Sequence, residues 1–273
     1  MLVSDPPPAA PADDAPERGL NKTDAAYQRL RAAILGAELP PGAPLRPASL
    51  QAAYGMGWTP LREALSRLEA ERLVTTRRNR GFAVAPVSLE ELEDLTRARR
   101  ALEAPLLAEA LAHGDRAWEE ALILAHFRLA EGALPAGDWS DAAITRWLDL
   151  HQDFHLALLA GGRNTWLMHF YRQTMDQERR HHRVLMVIPL LAQALGATDA
   201  ANPAMAALRE AITVDHHTDL MRAALARDLP RAAALMAEHV NYKRDVFAHS
   251  QPAEAAPPAR RGRGRPPRSS AAD

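Results

Sequence analysis

Between two low-complexity ends, this chain reads as helix almost throughout, and the one place where it does not limits what the rest can build. Leu73–Thr75 and Phe82–Val84 are short β-prone runs, and Asn79-Arg80-Gly81 between them has turn chemistry. A lone hairpin is marginal in water, so the hairpin over Leu73–Val87 needs helices to rest on. Three short ones precede it. Thr23–Leu35 places Ala26, Leu30, Ala33 and Ile34 on one face and stops at Gly36, and Ala48–Tyr54 stops at Gly55. Thr59–Ala70 is expected to start with Thr59 as N-cap and Pro60 in the first helical position. Its buried stripe is Leu61, Leu65 and Leu68. Three helices followed by a two-stranded wing make a winged helix-turn-helix, expected over residues 20–87.

The fold class that follows is mainly α, with the winged helix in front of an all-α antiparallel bundle over residues 88–249. Six helices are expected there, at about 88–113, 115–132, 138–160, 163–190, 203–227 and 229–249. Pro189–Pro203 mixes Leu, Ala, Gly and Pro and reads as a loop or a broken helix. Residues 1–19 lack an apolar period and read as a disordered arm. Residues 250–273 read as a basic, disordered tail.

Charge separates the same regions. Residues 20–87 hold ten Lys/Arg against five Asp/Glu, whereas residues 88–249 hold 17 against 23. The tail adds five arginines against two acids. The net charge of −1 conceals this asymmetry, which suits an anionic polymer docking at one end. The absence of cysteine excludes disulfides and thiolate metal sites. The chain contains no apolar run of membrane-spanning length, and its start lacks the pattern of a secretion signal. A cytoplasmic location and no membrane partner are therefore expected.

A helix presented to the major groove reads base edges through its amino-terminal residues. Here these are Trp58, Thr59 and Arg62, with Ser66 one turn on. Arg62 lies off the leucine stripe, free to reach guanine or phosphate. Arg46, Arg77, Arg78 and Arg80 are candidates for phosphate, and Gly81 lets the wing tip approach the minor groove.

Most of the 11 histidines need no special role, but the spacing of four of them points to a shared site. His151 and His155 are i,i+4 and share a helix face. His217 and His239 are 22 residues apart with Asp228 midway, just before Pro230. A reversal there puts both about three turns from the bend, at similar height on an antiparallel pair. Two such helix pairs can close four imidazoles around one divalent metal. Asp153 points roughly 200° away from His155 around the helix and is a poor ligand. His181, His182 and His216 are weaker candidates.

With these residues in view, the chain resembles a known family. AYQRLRAAILGAELPPGAPL, SLQAAYGMGWTPLREALSRLEAERLV and RNRGFAV resemble the GntR DNA-binding domain. RARRALEAPLLAEAL, HQDFHLALLAGGRN and HHTDLMRAALARDLPRAAALMAEHV resemble the helical FCD effector domain of the FadR-like branch. The blocks stand in the family's order and span roughly residues 20–249. The resemblance implies a homodimeric transcription regulator, a repressor, that binds a palindromic operator in double-stranded DNA. Arg62 matches an arginine that usually contacts DNA in the family. Trp58 stands where the family usually has arginine, so the operator is expected to differ from the commonest family sites.

The resemblance also implies the metal ligands. His155, His217 and His239 match three family histidines, and His151 stands where Asp or Asn is usual. That exchange raises the formal charge of a filled site from +1 to +2 and favours Zn or Ni over Mg or Ca. Arg99, four residues before Glu103, matches an arginine that the family often turns into the pocket. Beside a metal it would clamp a small carboxylate effector.

Two other readings compete. One is a metal-dependent hydrolase using Glu103 or Asp149 as base, which no HExxH or paired-carboxylate motif supports. The other is a nucleoid-like structural DNA binder, suggested by the tail. Within that tail, Arg263-Gly264-Arg265-Pro266 has the core pattern of an AT-hook, flanked by Arg260, Arg261 and Arg268.

Overall fold

The computed structural model describes residues 21–77, 81–132, 140–189 and 213–250. Helix α1 (Lys22–Leu35) begins on Asn21, whose side chain accepts the Asp24 amide and satisfies one donor that a helix start leaves open. Strand β1 (Pro44–Leu45) leads into α2 (Pro47–Tyr54), which ends at Gly55 with φ +63°. That left-handed turn is one a glycine adopts without strain. Helix α3 (Trp58–Ala70) follows, then β2 (Val74–Arg77) and β3 (Gly81–Val84). Ala26, Leu30 and Ile34 of α1 pack with Leu61, Leu65 and Leu68 of α3 and with Leu73 and Val84 beside the sheet.

Two details differ from the sequence reading. Helix α3 starts two residues early, at Trp58, and its N-cap is Gly57, without a side-chain cap. Pro60 is thus the third helical residue, where its missing N–H is still one that a helix leaves unused. The sheet has three strands, in the antiparallel order β1-β3-β2, with Leu45 opposite Phe82 and Thr75 opposite Ala83. Two residues following a Pro-Gly turn are too short to show a period, so the sequence carries no sign of β1.

The body contains α4 (Leu89–His113), α5 (Arg116–Glu131), α6 (Asp141–Leu159) and α7 (Thr165–His182). Ser88, Asp115, Ser140 and Asn164 each cap the helix that follows with a side-chain oxygen. The long helix expected over 163–190 changes register at Arg183–Val187, which is a π turn. Helices α8 (Asp215–Leu225) and α9 (Leu229–Ser250) complete the described bundle. The first part of the helix expected from 203, and residues 190–203 of the expected loop, lie outside the described residues. Leu106, Leu107, Trp118, Leu122, Phe154, Leu158, Tyr171, Leu220 and Met236 form a second core, distinct from that of the winged helix. Among the described residues, no helix is long and apolar enough to cross a membrane.

The GGRN block serves packing. A Cβ on Gly161 would lie 2.9 Å from the Ala110 carbonyl and 3.0 Å from Trp118, closer than side chains tolerate. The Arg163 and Asn164 amides both donate to Glu109 at 3.0 Å. This corner fixes where α6 ends and α7 begins, and hence the height of the histidines on α6.

Candidate functional site

Helix α6 buries His151, Phe154, His155 and Leu158 along one stripe, so its two histidines occupy core positions rather than surface ones. Opposite them, α8 and α9 form a hairpin that turns through Ala226–Asp228 and carries His217 and His239 inward. The structure brings all four together. Their candidate ligand nitrogens lie within 4.8 Å of one another, and all four side chains are buried.

Three inward nitrogens form a tight triangle. The Nε2 atoms of His151 and His239 are 3.0 Å apart, those of His155 and His239 3.1 Å, and those of His155 and His151 3.2 Å. A neutral imidazole nitrogen either donates or accepts, so three of them cannot satisfy all three edges with protons. A divalent ion at Zn–N bond lengths separates its ligand nitrogens by about 3.3–3.4 Å in a tetrahedron, close to these edges. His217 Nδ1 lies 3.2 Å from the Thr213 carbonyl, which can only accept. Its proton therefore sits on Nδ1, leaving Nε2 as a lone-pair donor, the tautomer metal ligation requires. Trp147 stacks on His151 at 4.8 Å and His216 on His239 at 5.4 Å. His216 donates from Nε2 to the Leu235 carbonyl at 3.0 Å, so it braces a ligand ring. Burial, then the neighbouring imidazoles and Arg99, hold the His155 ring well below the ordinary imidazole range. A neutral His155 offers a nitrogen lone pair to a cation. The donor set fits a borderline divalent cation.

Arg99 is wholly buried beside this cluster, but it is not a spare cation. Its Nε donates to Glu103 and its Nη1 to Glu178, each at 2.6 Å. Tyr171 adds a hydroxyl donor to Glu103 at 3.1 Å. One guanidinium thus meets two carboxylates, and only Nη2 lacks a partner among the described residues. The sequence reading of Arg99 as a clamp for a carboxylate effector overlooked Glu178, which lies 79 residues away in the chain.

On the winged helix, α3 turns Leu61, Ala64, Leu65 and Leu68 inward. Thr59, Arg62 and Ser66 are exposed on the other side, at spacings of three and four residues that make one face. Trp58 is different. It is only partly exposed and packs against the winged-helix core. Arg46 is exposed at the start of α2. Gly81 opens β3 with φ +73°, which favours glycine at the wing tip. Arg77 has its backbone in β2. Its side chain, like Arg78, Arg80 and the Arg263–Pro266 motif, lies outside what the structure describes.

Comparison with known proteins now bears on both regions. Residues 22–84 match the model for bacterial regulatory proteins of the gntR family, and residues 94–242 match the FCD domain. The chain belongs to the GntR family. It is 33% identical to the HTH-type transcriptional repressor GlaR of Escherichia coli K12, over 78% of this chain and 90% of that protein. It is 31% identical to the HTH-type transcriptional regulator BphR of Paraburkholderia xenovorans LB400, over 80% and 81%. Among solved structures, E. coli McbR/YncC shares the fold with a TM-score of 0.64 at 22% identity, covering 84% of this chain and 98% of that one. This GntR-family member is a DNA-binding transcription regulator and not an enzyme.

In this regulator, sequence reading missed the part played by α7. Its run DQERRHH has the composition of a solvated face, yet Gln177, Glu178, Arg180 and His181 are buried. Arg180 donates to the Ala85 and Pro86 carbonyls at 2.9 and 2.7 Å, and Gln177 to the Glu71 carbonyl at 2.7 Å. Arg183, turned by the π segment, reaches the Gly36 carbonyl as well as Asp141 and Thr145. These groups dock the winged helix on the body. The available signal was the 4,3 spacing of Asp176, Arg180 and Arg183, which puts three charges on one helix face.

Proposed function

We propose that this regulator is a metal-dependent repressor whose operator affinity is set by a small carboxylate bound in the helical body. The observation that carries this reading is the convergence of His151, His155, His217 and His239 on one buried point. These four residues would hold one divalent ion per protomer, Zn or Ni being favoured by an all-imidazole set. The ion would supply a positive charge and could take a further ligand by expanding beyond its four imidazoles. Arg99 would share the effector through Nη2, its one guanidinium nitrogen without a partner among the described residues. A groove of about 300 Å³, bordered by Arg100, Leu107, Ala233 and Met236, reaches Glu103, the residue paired with Arg99.

Operator reading falls to Thr59, Arg62 and Ser66 on the exposed side of α3, with Arg46, Arg77, Arg78 and Arg80 on phosphate and Gly81 at the wing tip. Trp58, being packed on the core, would support the helix start and touch at most a thymine methyl. The protein would act in the cytoplasm as a homodimer on a palindromic site. Exposed Ile123, Leu124 and Phe127 on α5 and Trp166 and Phe170 on α7 leave apolar surface for a second copy. The name of GlaR, a transcriptional repressor, supports the negative sense of control.

The deciding experiment is elemental analysis of the purified protein and of His217→Ala, followed by titration of organic acids against operator binding. One equivalent of metal in the parent and none in the variant is expected. Equal metal in both refutes the centre. An acid response that survives Arg99→Ala removes Arg99 from effector binding.

A further inference from the structure

We infer that Gln152 is the coupling residue that connects the histidine cluster to the DNA-reading helix, a role that rests on the functional reading above. Gln152 stands on α6 between His151 and His155 in sequence. Its side-chain amide donates to Asp176 Oδ1 of α7 at 3.2 Å. The other oxygen of Asp176 is paired with Arg31 Nη2 of α1. Arg31 Nε then bonds Glu71 Oε2 at 3.2 Å, and Glu71 is the residue that caps the C-terminus of α3. Three polar contacts therefore link the helix carrying two of the imidazoles to the end of the recognition helix.

Several features make this chain suited to transmit a shift. Gln152 and Arg31 share Asp176 as an acceptor, so moving one redirects the other. An amide rotated by half a turn would set its oxygen against a carboxylate, so the amide orientation is fixed by its partner. Glu71 is held from the far side by the Tyr27 hydroxyl at 2.5 Å and through its carbonyl by Gln177 at 2.7 Å. The Arg67 guanidinium of α3 lies 4.0 Å from the centre of the Tyr27 ring. A displacement of Arg31 thus reaches α3 at two residues, Glu71 directly and Arg67 through Tyr27.

The body-to-wing contacts of Arg183 and Arg180 are placed differently. Arg183 grips Asp141 in the first turn of α6 and the Gly36 carbonyl, and Asp141 is about 15 Å along the helix from His151. Arg180 holds backbone carbonyls of the connecting segment. These act as the fixed attachment, whereas the Gln152 chain begins beside the ligands. An ion held by His151 and His155 would fix the position of the α6 turn that carries Gln152.

The test is hydrogen exchange of the full-length protein with and without Zn2+, in the parent, in Gln152→Leu and in Arg183→Ala. In the parent, Zn2+ should slow exchange in Asp141–Leu159 and Asp215–Leu225 and also, by about fivefold or more, in Trp58–Ala70. In Gln152→Leu, which keeps side-chain bulk, protection of the body helices should persist while the response of Trp58–Ala70 disappears. Arg183→Ala should exchange faster throughout the wing yet keep its response to Zn2+. A Gln152→Leu protein that transmits like the parent overturns the proposal, as does a parent whose body responds and whose wing does not. Failure of Zn2+ to bind the parent strikes instead at the metal reading. The chain is then judged without metal, by the combined Gln152→Leu and Arg31→Ala variant. Non-additive effects on exchange in Trp58–Ala70 support the link, and additive ones overturn it.

Discussion

In the winged helix, α3 sends leucines inward and leaves Thr59, Arg62 and Ser66 exposed. In the body, α6 sends His151 and His155 inward on the same stripe as Phe154 and Leu158. The first region keeps its chemistry outside a purely apolar core, and the second builds chemistry into the core itself. Replacing one of these exposed residues leaves the fold intact, since surface substitutions usually stay within about 0.5 kcal/mol. Replacing a buried polar group strands its partners in a low-dielectric interior. Function and stability should therefore separate in the wing and remain coupled in the body.

The largest effect that can break this comparison is expected at Arg99. Arg99→Met leaves Glu103 and Glu178, each accepting from that guanidinium at 2.6 Å, buried with one cation lost. Breaking a buried pair in this way costs about 3–5 kcal/mol. Urea unfolding should show that loss, against a change near zero for Arg62→Ala. Comparable stability in the two variants would mean that the body is no more coupled than the wing.

The same contrast explains what could be read from the sequence. The wing was legible because its apolar periods, Gly55 and the Asn-Arg-Gly turn are local signals. The histidine cluster was legible because two of its members share a helix face and the other two flank a turn at equal distances. Glu178 and the docking role of Gln177 and Arg180 were not. Their partners lie 79 to 106 residues away in the chain, and a polar residue on a helix gives no local sign of whether water or another domain covers it. The π turn at Arg183 likewise follows from tertiary contacts, since nothing in RVLMV departs from ordinary helix composition.

The next effect tests whether the cluster supplies stability to the body. Ligand that binds only the folded state adds about 2.7 kcal/mol when its concentration is 100 times Kd. Zinc at that excess should raise the melting temperature of the parent and leave His217→Ala unmoved. Chelation should bring the parent back to its metal-free value. A zinc-independent parent would place these imidazoles among ordinary core residues.

A smaller effect, and one confined to function, is expected on the wing. Arg62→Ala should weaken specific operator binding by about 1–3 kcal/mol with an unchanged melting temperature. Ser66→Ala, a turn farther along the same exposed face, should cost less. Binding measured at one salt concentration decides this, because phosphate contacts shift with ionic strength and base contacts do so far less. An Arg62→Ala protein with full operator affinity would move the reading surface away from this side of α3.

The smallest effect concerns a third region that belongs to neither pattern. The motif Arg263-Gly264-Arg265-Pro266 carries two arginines without any apolar residue to anchor them in a core. Arginine favours narrow A·T-rich minor grooves because negative potential is concentrated there. Tethered to a bound winged helix, such a segment would meet flanking DNA at a high effective concentration and add affinity. Arg260, Arg261 and Arg268 would add phosphate contacts, each steepening the salt dependence by about 0.9 in log–log slope. Deleting residues 256–273 should therefore shorten the protected footprint on A·T-rich flanks and flatten the salt slope. Metal content and the melting temperature should stay as they were. A deletion variant with the same footprint and slope leaves the tail as a solvated terminus, with all DNA contacts assigned to the winged helix.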